Sequence, residues 1–191
     1  MKPGEVRAEF VSEDGRRVTI RALKKADLDA LVRFANKVSR EKAVNRELGV
    51  IALDGRATRA GERRFLSRIL KGIRSREVVS LAAVVDGDIV GHADVWRRTP
   101  RDVRHTGIFG IVVCEGYRGV GIGERLMTEI LRESRRTGVW LIELSVFAIN
   151  EGARHLYTKM GFREVGVVPA KVVRGDRVLD EIMMYADLRK R

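Results

Sequence analysis

Arg118-Gly119-Val120-Gly121-Ile122-Gly123 follows the apolar run Ile108 to Cys114 and opens the amphipathic run Glu124 to Arg136, where Leu126, Met127, Ile130 and Leu131 share one face. A strand, a glycine loop and a helix in that order leave unpaired backbone N–H groups at the positive end of the helix, where a phosphate binds readily. Glycines permit positive φ and let the backbone approach an anion with no Cβ in the way. The helix dipole adds about 0.3–2 kcal/mol to such binding. A tight turn of purely structural purpose is the competing reading.

Two familiar phosphate loops fit poorly. A P-loop needs Gly-x-x-x-x-Gly-Lys-Ser/Thr, and Glu124 rather than Lys follows Gly123. A dinucleotide fingerprint needs Gly-x-Gly-x-x-Gly, and here the third glycine comes one residue early. Its ribose-binding acid should end the next strand, yet Leu144-Ser145-Val146 continues beyond Glu143.

Outward from the loop, the remaining elements read as follows. Val18 to Leu23 is a strand candidate, and Lys24 to Val38 a helix with Leu28, Leu31, Val32 and Ala35 at helical spacing. Asn45 to Ala60 is polar and reads as a loop or broken helix, and Arg63 to Arg74 as a second helix. Val78 to Val85 and Asp88 to Trp96, joined by Asp86-Gly87, form the clearest hairpin. Trp140 to Phe147 is a strand and Gly152 to Met160 a short helix; Phe162 to Val168 and Val178 to Tyr185 close the chain. The order β-α-α-β-β-β-α-β-α-β-β predicts an α/β domain with a mixed sheet and about four helices. At about 150 residues per domain, 191 residues make one domain, set here at 18–188 behind an N-terminal extension, 1–17.

Arg118-x-x-Gly121-x-Gly123 resembles the pyrophosphate loop of the GNAT superfamily of acyl-CoA N-acyltransferases. Leu144-Ser145-Val146, Asn150, Ala153 and Leu156-Tyr157-x-x-Met160-Gly161-Phe162 resemble that family's second signature. The resemblance implies the GNAT fold and transfer of an acetyl group from acetyl-CoA to a primary amine in a ternary complex. It implies that acetyl-CoA wedges between two splayed parallel strands, with the segment Ile111-Val112-Val113 beside the pantetheine arm through the backbone of Ile111 and Val113. A backbone N–H there would also polarise the thioester carbonyl. The N–H groups of Arg118, Gly119, Val120, Gly121, Ile122 and Gly123 would hold the pyrophosphate. Asn150 would contact the cofactor, and Tyr157 would protonate the departing thiolate. Asn150 as a helix cap and Tyr157 as a packing residue are the plainer alternatives.

The reaction poses a proton problem. A lysine-like amine of pKa near 10.4 is neutral in about one molecule in 2,500 at pH 7, which costs about 4.6 kcal/mol. Many family members carry a carboxylate where this chain has Ile108, and Ile108 to Val113 holds no titratable group. Glu143 is the best substitute, sharing a strand face with Leu141 and Ser145; pairing with an arginine is its competing reading. Asp94, His92 and His105 are weaker candidates, and a route through water is open.

Composition bounds the rest. The chain has 38 Lys and Arg, nine of them Lys, against 26 Asp and Glu, for a net charge of +12. Cationic runs at 56–76 and 97–104 read as solvated faces or as attractors of an anionic cofactor, acidic substrate or nucleic acid. One cysteine, Cys114, excludes a disulfide framework and a cysteine-based zinc cluster, and three scattered histidines lack metal spacing, so no metal is expected. No apolar run approaches the ~20 residues of a membrane span, and Met1 to Glu13 lacks a signal peptide's apolar core, so a cytoplasmic protein is expected. The expected partners are acetyl-CoA and an amine acceptor: a small amine or amino-acid-like compound, or a protein Lys or N-terminus. A homodimer and weak, non-specific nucleic-acid contact stay open. Two non-enzymatic readings compete: an acyl-CoA-binding sensor without turnover, and a basic nucleic-acid-binding module, whose binding would fall steeply with salt.

Overall fold

Across residues 1–45, 47–50 and 55–190, those that the computed structural model describes, the chain runs β1 (Val6–Val11), β2 (Arg17–Ala22), α1 (Leu28–Val44), α2 (Arg59–Ser75), β3 (Val78–Val85), β4 (Asp88–Arg97), β5 (Thr106–Val113), α3 (Ile122–Arg136), β6 (Leu141–Phe147), α4 (Glu151–Lys159), β7 (Arg163–Arg174) and β8 (Arg177–Asp187). The eight strands form one sheet in the order β1-β2-β3-β4-β5-β6-β8-β7. Every neighbouring pair is antiparallel except β5 and β6, so the sheet is mixed as expected. The β3–β4 hairpin closes through Asp86 and Gly87, both at positive φ, the turn whose twist matches that of its strands.

Helices cover both faces. Leu31, Phe34 and Val38 of α1 and Leu66, Ile69 and Ile73 of α2 pack on Val78, Ala82 and Ile89. On the opposite face, Ile122, Leu126, Met127 and Ile130 of α3 cover Leu81, Ala83, Ala93 and Val95, and α4 adds Tyr157. Each such side chain taken fully from water contributes about 1.5–3 kcal/mol. No helix among the described residues is long and apolar enough to cross a membrane.

Four elements differ from the sequence expectation. The stretch 1–17 carries β1, paired with β2 from Val6↔Arg21 to Val11↔Arg17. Helix α1 runs six residues past Val38, an extension the apolar pattern does not mark because Glu41 is buried where an apolar residue would have continued it. Helix α2 starts at Arg59, where Thr58 Oγ1 accepts from Gly61 N–H at 3.1 Å and caps it; residues 46 and 51–54 of the expected loop lie outside the described residues. The segment 169–177 is mostly ribbon rather than loop. There β7 continues to Arg174 through an irregularity at Val168 to Val172, with Ala170 at φ 54° and its N–H donating to Asp180 Oδ1.

Candidate active site

Strands β5 and β6 pair over three positions, Thr106↔Leu141, Gly107↔Ile142 and Ile108↔Glu143, and then separate. From Phe109 onward the β5 edge facing β6 has no strand partner, and Leu144 to Phe147 is equally bare on its β5 side. Exposed, unpaired strand edges are sites for an extended ligand, because each peptide group there still needs a hydrogen-bond partner. The gap is therefore wedge-shaped, narrow at Ile108 and Glu143 and open toward Val113 and Phe147.

The glycine loop stands at the wide end. Gly119 and Gly121 have φ of 70° and 84°, a left-handed conformation that other residues adopt at a cost. Gly121 is the N-cap of α3 and no side chain caps that helix. The first backward bond is Arg125 N–H to Gly121 C=O at 3.0 Å, so the N–H groups of Ile122, Gly123 and Glu124 point off the helix end, free of intrahelical partners. Gly123 has an ordinary φ, and a Cβ there would meet Leu156 at 3.5 Å, an ordinary contact, so neither backbone nor space demands a glycine at that position.

Arg118 turns its side chain back under the loop. Its Nε donates to Val113 C=O at 2.8 Å and its guanidinium pairs with Glu41. Glu41 is buried and also accepts from Glu115 N–H at 3.1 Å. Arg118 thus braces the loop from α1. The β1–β2 turn braces it from the other side: Glu13 N–H donates to Val120 C=O at 3.2 Å, and Arg16 donates to Gly116 C=O at 2.6 Å while lying 4.5 Å from the centre of the Tyr117 ring. Neither brace was visible in the sequence, because both join residues about 75 to 110 positions apart.

Tyr157 is buried on α4, edge-on to Phe109 at 6.3 Å and 6.0 Å from Phe162. Phe109 is the first β5 residue beyond the last β5–β6 pair, which puts Tyr157 under the floor of the gap. Burial pushes its phenol up to about 12, so it is protonated at any physiological pH. Asn150 caps α4, accepting from Ala153 N–H at 3.1 Å, and its amide donates to Glu47 C=O at 3.1 Å. Cys114, just past β5, is sealed from solvent and its thiol is pushed up to about 11, mainly by burial.

Glu143 sits at the narrow end, level with Ile108, which is 47% exposed. Its Oε2 accepts from Arg98 Nη2 at 2.6 Å, so the pairing that competed with a catalytic role is present. On the same sheet face Asp94 stands level with Gly110 and His92 level with Val112. His92 is buried, its Nε2 is 2.9 Å from Ser80 Oγ, and burial holds the imidazole below its ordinary range despite the opposing pull of Asp94. His105 is remote from this group, stacked on Trp140 at 4.2 Å. The cationic run at 56–76 is partly spoken for: Arg59 pairs with Asp29, and Arg68 lies over Trp96 and Phe65.

Comparison with known proteins agrees with this geometry. Residues 31–162 match the model of the acetyltransferase (GNAT) family. An L-amino acid N-acetyltransferase of Escherichia coli is 34% identical over 113 residues, covering 56% of this chain and 67% of that protein. A GNAT-family acetyltransferase of Streptococcus pneumoniae superposes with a TM-score of 0.77 at 27% identity, covering 89% of this chain and 99% of that one. The yncA protein of Salmonella typhimurium, solved with its cofactor acetyl-CoA, shares the fold with a TM-score of 0.76 at 22% identity, covering 91% and 95%. The chain belongs to the GNAT family of acetyltransferases, enzymes that draw the acetyl group from acetyl-CoA.

Proposed function

We propose that this protein acetylates the primary amine of an amino-acid-like compound by direct attack on acetyl-CoA. The observation that carries the reading is the separation of β5 from β6 beyond Ile108 and Glu143, with an uncapped helix N-terminus at the wide end. The backbone of Ile111 and Val113, with Val112 between them, would take the pantetheine arm. The N–H groups from Arg118 to Gly123 would hold the pyrophosphate. Asn150 would exchange its bond to the Glu47 carbonyl for one to the arm.

The chemistry divides between two side chains. Tyr157 gives its proton to the departing thiolate; a phenol held near 12 keeps that proton until a strong base forms beside it. Glu143 draws a proton from the amine through water, with Arg98 fixing one carboxylate oxygen and the other left to take the proton. The similarity to an L-amino acid N-acetyltransferase supports a free amino acid as acceptor, and a protein Lys or N-terminus is the alternative within the same chemistry.

A second reading, an acyl-CoA sensor without turnover, is favoured by one observation: Ile108 stands at the narrow end of the gap where many relatives carry a carboxylate. Calorimetric titration of acetyl-CoA, followed by release of CoA with amino acids and peptides, decides between them. Micromolar binding with amine-dependent CoA release supports the enzyme. Binding without release from any amine supports the sensor, and no binding refutes the assignment of the glycine loop.

A further inference from the structure

The sheet face under α1 and α2 carries a second carboxylate that the proposed chemistry does not use. Asp94 projects from β4 on the same face as His92 and Trp96, and strand register sets it beside Ser80 of β3 and Gly110 of β5. A Cβ built on Gly110 would lie 3.3 Å from Asp94 Oδ1, so the carboxylate leans across the strand and overhangs the glycine. Gly110 is itself exposed and lies two residues beyond Ile108, where β5 and β6 part. The missing side chain at position 110 leaves open space between Asp94 and the wedge.

The carboxylates nearest this face differ in one respect. Glu143 is held by Arg98, and Glu41 by Arg118 and the Glu115 N–H. Among the described residues no hydrogen bond or ion pair engages Asp94, in a chain with 38 cationic side chains to 26 anionic ones. Behind it, the buried Ser80–His92 hydrogen bond fills the floor with polar groups that are satisfied by each other. Asp94 is half-buried, with the neutral imidazole of His92 on its own face, so its charge stays unneutralised until a cation arrives to meet it.

We infer that Asp94 receives the protonated amine of the acceptor and holds its nitrogen above Gly110, across β5 from Glu143. This rests on the acetyltransferase reading above and adds to it the residue that binds the acceptor. The ammonium arrives with three N–H protons and the amide product keeps one. One proton passes by way of Glu143 to solvent, and the nitrogen lone pair it frees forms the C–N bond. As the C–S bond breaks, the thiolate takes the Tyr157 proton, and the second proton shed by nitrogen restores the phenol. Asp94 exchanges no proton; it sets the position and selects a cationic head.

The test uses the full chain, the twenty L-amino acids and an alanine tetrapeptide with a free N-terminus. Asp94→Asn should raise KM for the acceptor at least tenfold, with kcat within about threefold and unchanged affinity for acetyl-CoA. Calorimetric titration of the preferred acceptor into the CoA-saturated protein should weaken by the same factor. Gly110→Ala, which fills the space beneath the carboxylate, should raise the acceptor KM as well. An acceptor KM within twofold of the parent value in Asp94→Asn, while the parent turns over, overturns the role of Asp94 alone. A parent that binds acetyl-CoA and acetylates nothing in the panel overturns the enzyme reading and Asp94 with it.

Discussion

Arg98 Nη2 stands 2.6 Å from Glu143 Oε2, joining the segment just past β4 to the β6 residue at which the parallel pairing ends. A partly exposed bridge of this kind contributes about 0–1 kcal/mol to stability, so its position matters more than its strength. Glu143→Gln should lower kcat tenfold or more, shift Tm by no more than a few degrees and leave the acceptor KM within threefold. Steady-state kinetics on the preferred amine checks this, and an unchanged kcat would reduce Glu143 to a structural bridge.

Tyr157→Phe should cut kcat by about 10²-fold while acetyl-CoA affinity is nearly kept, since the proton transfer proposed for the phenol follows binding. The raised phenol also has a stability signature. Unfolded tyrosine ionises near pH 10 and the folded one near 12, so the unfolded chain sheds its proton first as pH rises. Stability is intact below pH 10 and declines between 10 and 12, and denaturant melts should show less of that decline in Tyr157→Phe.

Gly121→Val should abolish acetyl-CoA binding, raising Kd by at least 100-fold. At φ 84° a β-branched residue is strongly disfavoured, so the N–H groups at the start of α3 would turn away from the phosphate. Calorimetry gives the answer directly, and an unchanged Kd would show that the loop binds no phosphate.

Glu41→Ala should destabilise the fold by about 1–3 kcal/mol, because the Glu115 N–H loses its acceptor and Arg118 its partner. The same variant should weaken acetyl-CoA through a loosened loop. Urea melts and calorimetry measure the two effects, and a loss of stability with full affinity would uncouple the brace from the site.

His92 is buried neutral, and its unfolded counterpart has a pKa near 6.5. As pH falls below 6.5 the unfolded chain gains a proton that the fold resists, so stability present above that pH is lost going down. His92→Asn should lose less stability than the parent between pH 6.5 and 5. Equal slopes would mean that the imidazole titrates normally inside the sheet.

What could be read from residues alone was local. The Asp86-Gly87 turn and the loop from Arg118 to Gly123 declare themselves within a few positions, because positive φ calls for glycine or a short polar residue. Alternation along Leu141 to Phe147 also put Glu143 on the right face. The Thr58 cap that starts α2 was a local signal left unread, and the larger losses were long-range. The edge strand Val6 to Val11 mixes Arg7 and Glu9 into a short run, and only its pairing with β2 makes it a strand. Glu41 hides the last two turns of α1 because its partners lie on the glycine loop. Which of Asp94 and Glu143 has an arginine, and which overhangs a glycine, depends on the register of β4, β5 and β6, and register leaves no mark in any one strand.

The sealed thiol of Cys114 has a practical side for whoever assays this enzyme. Colour reagents that count free sulfhydryls usually suffer from the catalyst's own cysteines. Here the chain carries one, shut away and scarcely ionised near neutral pH, so the signal should come from the coenzyme set free in each turnover, and progress curves can be followed continuously at high protein concentration.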